Sequence, residues 1–466
     1  MKGYWWQNDC HSERSEESHG LHGILRPSTS LRAQDDNQDI IMDKFLIRGR
    51  HRLKGEVTIS GAKNAALPLM TATLLAPGTH ILSNIPSLRD VHTMRRLLEH
   101  LGAKCDFIPL TKGRELSNSL QISTDFIRGD DAPYEVVKTM RASVLVMGPL
   151  VGRLHHAKVS LPGGCAIGAR PIDLHLKALA AMGADIKIND GFVEVKANKL
   201  RGARIPFDKV TVTGTENIMM AATLAEGTTI LENAAREPEV ADLANYLIAM
   251  GAKIDGAGTD RITIEGVKTL KPASHDIISD RIEAATFMIA SALTRGDVTL
   301  LHAPKEYLET FMVRLSETGV RFEENGGRVR VIGPERPISV DITTAPHPGF
   351  ATDLQAQFMA LMTVAEGTSV ITETIFENRF MHVPELNRLG ASITVEGPTA
   401  VIKGKQGLLG APVQATDLRA SASLVLAGLA AEGETEINRI YHLDRGYEKI
   451  EEKLCNLGAE IERIPE

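Results

Sequence analysis

The segment Leu161-Pro162-Gly163-Gly164-Cys165-Ala166-Ile167-Gly168-Ala169-Arg170 brings together residue types that could do chemistry. Its three glycines let backbone amides approach an anionic ligand more closely than bulkier residues would. Arg170, five residues after the thiol, can grip a phosphate or carboxylate through a bidentate fork. A thiol beside such a positive centre ionises more readily than a free one, so Cys165 can serve as acid, base or nucleophile. The other reading of the same residues is a buried structural cysteine beside a glycine turn.

Cations recur in small-residue settings elsewhere. Ser60-Gly61-Ala62-Lys63-Asn64-Ala65-Ala66 sets Lys63 and Asn64 at the start of an alanine-rich helix. A cation there opposes the helix dipole, and an anionic ligand at the same helix end would resolve the conflict. Arg141 and Arg419 begin apolar helices in Lys138-Thr139-Met140-Arg141-Ala142-Ser143 and Asp417-Leu418-Arg419-Ala420-Ser421, and Arg445 sits in the turn Asp444-Arg445-Gly446-Tyr447. Each of these arginines alone reads first as a solvated surface cation. Together, beside apolar helices, they read as a shared anion site. Asp353 closes the proline-constrained loop Thr344-Ala345-Pro346-His347-Pro348-Gly349-Phe350-Ala351-Thr352-Asp353. It reads as a cap of the following helix or as a general base for a substrate hydroxyl. Glu377-Asn378-Arg379-Phe380 suits a polar ligand or an ordinary salt bridge.

Such residues need rigid elements to aim them, and an internal repeat supplies these. Helices end in a hydrophobic residue, Gly and a small residue at Leu101-Gly102-Ala103, Met182-Gly183-Ala184, Met250-Gly251-Ala252, Thr318-Gly319-Val320, Leu389-Gly390-Ala391 and Leu457-Gly458-Ala459. Most intervals are roughly 70 residues, a spacing that signals repeated supersecondary units. Each glycine falls where a helix ends in the left-handed conformation. Turns of the type Ala225-Glu226-Gly227-Thr228 and Ala365-Glu366-Gly367-Thr368 lead into β-branched strands. The pattern predicts an α/β protein of six βαβαββ-like units in two three-unit domains. The opening stretches Phe45-Leu46-Ile47 and Val57-Thr58-Ile59 are expected to pair with the last unit. Periods of this length also fit a solenoid.

Composition narrows the class. The 466 residues are 43% hydrophobic and 24% charged, the profile of a globular protein with room for two cores. A net charge of -7 argues against a general nucleic-acid binder. No apolar run approaches the roughly 18 residues of a membrane span. Cys10, Cys105, Cys165 and Cys455 have neither disulfide nor metal-site spacing, which fits free thiols in a reducing cytoplasm. Residues 1–41 are polar, lack a secretory h-region and receive no catalytic role. They read as a disordered tail, or as translated repeat-type DNA ahead of a true start at Met42.

From Met42 almost to the C-terminus the chain resembles the enolpyruvyl transferase family, in its branch acting on UDP-N-acetylglucosamine. The segments that carry the resemblance are 60–66, 138–143, the Cys165 loop through His175, 344–357, 376–384, 415–423 and 439–448. It implies a two-domain inside-out α/β barrel of six βαβαββ-like units. The N-terminal domain would span 63–279 and carry the Cys165 loop. The C-terminal domain would be discontinuous, 42–62 plus 280–466, with the active site in the cleft between the two. The implied reaction moves the enolpyruvyl group of phosphoenolpyruvate to the 3′-hydroxyl of UDP-N-acetylglucosamine by addition and elimination, releasing phosphate. This would be the first committed step of peptidoglycan synthesis, in the cytoplasm. On this resemblance Cys165 is the acid for C3 and can add covalently to C2, which makes it the target of the epoxide fosfomycin, and Asp353 is the base. Lys63, Arg141, Arg170 and Arg445, with Arg419 beside them, hold phosphoenolpyruvate. Asn64, His175, Thr211, Val212, Ile375, Glu377 and Arg379 line the nucleotide-sugar side or the closing loop. The implied partners are these two small molecules, with no metal, no cofactor, no nucleic acid and no membrane insertion. The sister enzymes that use shikimate 3-phosphate are the nearest alternative, and they are not expected to carry the Cys165 loop. A catalytically silent nucleotide-sugar sensor is the alternative from another class.

Overall fold

Strand order repeats six times along the chain. The computed structural model describes residues 43–108, 118–161 and 172–465, so Cys165 and Arg170 lie outside the described residues. Six four-stranded sheets share one pattern, a parallel pair followed by two antiparallel neighbours. In the third unit, strands Arg204–Pro206, Thr228–Glu232, Lys253–Asp255 and Arg261–Glu265 are interleaved with helices Val212–Ala222 and Pro238–Ala249. That is the β-α-β-α-β-β order expected from sequence.

Helices occupy the inside and sheets the outside. The first helix of each unit is apolar or small-residue almost all round and is buried accordingly. These inner helices are Lys63–Ala72, Met147–Leu154 and Val212–Ala222 in one half, and Arg281–Leu293, Gln355–Met362 and Leu418–Ala430 in the other. They pack on one another within each half. The second helix is amphipathic instead. Arg89–His100 buries Asp90, Val91, Met94, Leu97 and Leu98 on one face, the spacing of a helical stripe. Strands such as Phe192–Lys196 alternate buried and exposed residues, so each sheet covers its helices with one face and meets water with the other. The result is an inside-out α/β barrel with two hydrophobic cores. One core draws on residues between Ala62 and Ile277, the other on Phe45 to Ile59 and Ile282 to Ile461.

The repeated helix stops take the geometry the triplets predict. Gly102, Gly183, Gly251, Gly319, Gly390 and Gly458 have φ of 103°, 91°, 104°, 95°, 91° and 98°. The next amide then reaches back to an orphan carbonyl, as in Ala103 N to Leu98 O at 2.9 Å and Ala184 N to Leu179 O at 3.0 Å.

The chain start differs from expectation at its second strand. Asp43–Arg48 does lie in the last sheet, between Glu434–Asn438 and Glu460–Pro465. Lys54–Thr58, with Val57, instead runs parallel to Asp297–Leu301 in the fourth sheet. The reason is a vacancy. Ser274–Asp276, the strand just before helix Arg281–Leu293, pairs with Thr79–Ser83 in the first sheet and leaves the fourth edge open. The two exchanging links cross where Gly61 bridges Ser279, with Ala62 N donating to Ile278 O at 2.7 Å and Asp280 N to Ser60 O at 2.8 Å. A methyl on Gly61 would stand 1.7 Å from the Asn84 carbonyl oxygen, whereas one on Gly390 would meet nothing within 4 Å. Gly390→Ala should therefore lose only about 1–2 kcal/mol, the cost of a left-handed alanine. Gly61→Ala should lose more, because backbone must move; thermal unfolding of both variants orders them.

Candidate active site

Charged groups collect at the first turns of the inner helices. Lys63 is the first residue of Lys63–Ala72 and Arg281 that of Arg281–Leu293, while Arg419 is the second residue of Leu418–Ala430. Asp417 caps that last helix, accepting from Arg419 N at 2.8 Å and Ala420 N at 3.1 Å. Thr211 likewise caps Val212–Ala222 through Gly214 N, and Val212 opens that helix half-buried. Arg141 starts a short 3-10 segment, Arg141–Val146, ahead of the inner helix that sequence alone had it begin.

Asp353 lies in the turn Thr352–Leu354 that feeds Gln355–Met362. Its carboxylate caps neither element. Oδ1 accepts from Arg379 Nη2 at 2.8 Å and Oδ2 from Arg419 Nη2 at 2.9 Å. Burial pushes this carboxyl up, but the charges of Arg419 and Arg379, the Arg419 bond and Lys63 overcome it and hold the group well below the usual carboxylate range. Arg419 is itself buried, with its guanidinium 5.6 Å from the Tyr447 ring and its Nη1 meeting no acceptor among the described residues. A buried donor of this kind can serve an anionic ligand. The Tyr447 hydroxyl is tied to Thr286 Oγ1 at 2.9 Å and receives Gln357 Nε2 at 3.0 Å.

A second network reaches the same place from the other core. Asp90, in the first turn of Arg89–His100, accepts Lys63 Nζ at 3.3 Å and Arg445 Nε at 2.9 Å. Burial, Arg419 and Arg445 push the Lys63 ammonium below its ordinary value, while Asp90 and Asp353 pull it back up. Asp90 was not singled out from sequence, because an acid in a first turn looks like an ordinary partner of the helix dipole. The available signal was its position. Asp90, Met94 and Leu97 are spaced four and three apart, which puts a carboxylate on the apolar stripe.

Other expected residues are less concentrated. Asn64 is half-buried beside Lys63, and Glu377 is exposed. Arg379 is buried, its guanidinium 5.3 Å from the Phe376 ring. Ile375 donates its amide to Glu373 at 2.8 Å, and Glu373 is the second residue that sequence reading missed. His175 sits inside the first core, where burial pushes its imidazole down to about 4. Asn217 Oδ1 accepts from Gly148 N, which turns its Nδ2 toward Val144 O and His175 Nδ1 at 3.0 Å each. That arrangement assigns His175 the tautomer whose Nε2–H donates to Thr213 Oγ1 at 3.3 Å. His175 thus holds the start of helix Val212–Ala222 with both ring nitrogens engaged. Among the described residues no group of three or more His, Cys, Asp or Glu side chains could hold a metal ion. No helix there is long and apolar enough to cross a membrane.

The two networks form a cation-rich site whose carboxylates balance each other's neighbours. Asp90→Asn keeps the shape but removes the charge that raises the Lys63 pKa. Lys63 then loses its proton at lower pH, and binding of inorganic phosphate should fade at lower pH than in the wild type. Calorimetric titration across pH checks this; an unmoved alkaline limb would separate Asp90 from the charge state of Lys63.

The pattern of the EPSP synthase (3-phosphoshikimate 1-carboxyvinyltransferase) family matches residues 47–454. The UDP-N-acetylglucosamine 1-carboxyvinyltransferase of Geobacter metallireducens is 59% identical over 425 residues, covering 91% of this chain and 100% of that protein. The protein of the same name from Myxococcus xanthus is 57% identical over 422 residues, covering 91% and 99%. The crystal structure of the enolpyruvyl transferase NikO from Streptomyces tendae is similar with a TM-score of 0.82 and 25% identity, covering 91% of this chain and 99% of that one. EPSP synthase from Acinetobacter baumannii, at 18% identity and a TM-score of 0.67 over 91% and 100% of the two chains, shares the fold. A match through most of the chain, joined to relatives this similar over their whole length, means that the chain belongs to the EPSP synthase (3-phosphoshikimate 1-carboxyvinyltransferase) family of enolpyruvyl transferases.

Proposed function

We propose that the protein transfers the enolpyruvyl group of phosphoenolpyruvate to the 3′-hydroxyl of UDP-N-acetylglucosamine and releases phosphate, in the cytoplasm, as the first committed step of peptidoglycan synthesis. One observation supports this most. Asp353 is held between Arg379 and Arg419 while Lys63 and Arg445 share Asp90, so an acceptor for a hydroxyl proton lies within electrostatic reach of several cations. Phosphoenolpyruvate carries a carboxylate and a phosphate, and Lys63, Arg141, Arg170, Arg419 and Arg445 would neutralise them, helped by the positive ends of the inner helices.

The steps follow from the bonds. Asp353 takes the proton of the 3′-hydroxyl as its oxygen attacks C2, and the Cys165 thiol donates a proton to C3. The adduct collapses when the bond from C2 to the phosphate oxygen breaks. C3 then returns a proton to Cys165, the double bond re-forms, and phosphate leaves with the proton from Asp353. Asp353 is a weak base while two guanidiniums hold it. An anionic substrate drawn onto Arg419 competes for that guanidinium and frees the carboxylate to act. Asn64, Thr211, Val212, Ile375, Glu377 and Arg379 would receive the nucleotide-sugar, with His175 holding the helix start beneath it. In this reading the domains 63–279 and 42–62 plus 280–466 close over the substrates and exclude water.

Phosphate release should require both phosphoenolpyruvate and UDP-N-acetylglucosamine. Release with shikimate 3-phosphate as the only acceptor would reverse the assignment within the family. Asp353→Asn should bind both substrates yet turn over about a hundredfold to ten-thousandfold more slowly, the usual worth of a general base. Near-normal turnover would remove Asp353 from that role. Fosfomycin should add its mass to the peptide containing Cys165, and an unmodified peptide would count against a reactive thiol there.

A further inference from the structure

The two loops that would serve the sugar hydroxyl meet on one buried carboxylate. Glu373 follows strand Thr368–Thr372 and is 3% exposed. Its Oε1 accepts from Thr344 Oγ1 at 2.9 Å, Ile375 N at 2.8 Å and Phe376 N at 3.3 Å, and its Oε2 accepts from Thr352 Oγ1 at 2.8 Å. Three of these donors converge on Oε1 and the fourth on Oε2, so the carboxylate answers all of them as an acceptor. Thr344 and Thr352 bracket the loop that ends at Asp353, and Thr352 is its immediate neighbour. Ile375 and Phe376 open the loop that continues to Glu377 and Arg379. Thr374 tightens the same joint, its amide donating to Thr344 Oγ1 at 2.9 Å and its hydroxyl to Thr344 O at 2.6 Å. The Arg379–Asp353 pair links the loops from the other side, and an anionic ligand can compete for it. If that pair is broken, the Thr374 bonds still hold the start of the first loop at Thr344, while Glu373 ties in Thr352, the residue next to Asp353.

We propose that Glu373 is a positioning residue for the transfer step, setting the distance between the base Asp353 and the backbone near Ile375 that receives the nucleotide-sugar. It touches no substrate and acts through Thr352 on one side and the Ile375 and Phe376 amides on the other. This inference rests on the reading of Asp353 as the base. A carboxylate suits the task because all four of its partners donate. An amide that keeps its oxygen at the Oε1 position sets an NH2 group against the Thr352 hydroxyl, so the tie to the neighbour of Asp353 is the one that must rearrange.

Steady-state kinetics of Glu373→Gln with phosphoenolpyruvate and UDP-N-acetylglucosamine test it. The expected result is a kcat lower by about tenfold to a hundredfold, the cost of a misplacement of the order of an ångström. KM for UDP-N-acetylglucosamine should rise as well. KM for phosphoenolpyruvate should stay within about threefold, since Asp90 holds Lys63 and Arg445 independently. Glu373→Asp keeps the charge but falls one carbon short of spanning both loops, and should not rescue. Thr352→Ala should lower kcat alone, and adding it to Glu373→Gln should lower kcat little further, because both act through one contact. A folded Glu373→Gln with kcat within about twofold of wild type overturns the proposal, as does an equal rise in both KM values at unchanged kcat. If Glu373→Gln does not fold, an unimpaired Thr352→Ala overturns it. Absence of turnover in the wild type removes the functional reading and this inference together, whereas wild-type turnover beside an unimpaired Glu373→Gln removes only the inference.

Discussion

A cation at the first turn of a buried helix is opposed twice, by the helix dipole and by the loss of water. This protein begins three inner helices that way, at Lys63, Arg281 and Arg419, and the arrangement of its site follows from how each is compensated. Lys63 leans on Asp90, Arg281 on Glu239 at 3.0 Å, and Arg419 on Asp353. Removing one partner of a buried pair costs about 3–5 kcal/mol, against roughly 0–1 kcal/mol for an exposed pair such as Lys199–Glu226. Lys63–Asp90 and Arg281–Glu239 therefore carry an obligation that the surface pairs do not, and the buried Arg419 shares it although its partner Asp353 is half-buried. A carboxylate holding such a cation occupies the kind of place that the proposed function gives to the carboxylate or phosphate of a substrate, so compensation and the proposed anion binding use the same geometry.

The inside-out architecture makes this possible. Inner helices covered by sheets bring their first turns to a common region without needing an exposed face, and their apolar lengths supply the burial that makes a charge there consequential. The crossing links at Gly61 and Ser279 join the two cores next to Lys63 and Arg281. Loop 445–448 then touches the first core twice, through Arg445 to Asp90 and through Glu448 Oε1, which accepts from Ser87 N at 2.9 Å. Structure and charge are thereby coupled at one seam.

Much of the fold was legible because its signals are local. A glycine that must take positive φ after a helix, and β-branched residues after a turn, announce themselves within a few residues. The six Gly-centred stops and the unit order could be read from them. The cations were legible for a related reason, since Lys63 and Arg419 contradict the dipole of the helices they begin. Their pairings were not, because Asp90 and Asp353 lie 27 and 66 residues away; Asp353 could be read as a candidate base or cap but not as the partner of Arg419, and Asp90 resembles a common first-turn acid. Glu373 was invisible for the same reason, as a glutamate among threonines at a strand end. The strand Lys54–Thr58 went astray because pairing depends on which sheet edge is open, and that edge is vacated by residues more than two hundred positions later.

The sequence by itself determined the periodic elements, the apolar inner helices and the placement of charge at their starts, because backbone conformation, amphipathic spacing and dipole conflict act over a turn or two of chain. Only the tertiary structure decided which carboxylate answers which cation, that Asp353 is clasped by Arg379 and Arg419 and caps no helix, and that the first two strands enter different sheets. Those outcomes depend on distances between units brought together by folding, where burial sets the strength of each charge and closure of the sheets sets its neighbours.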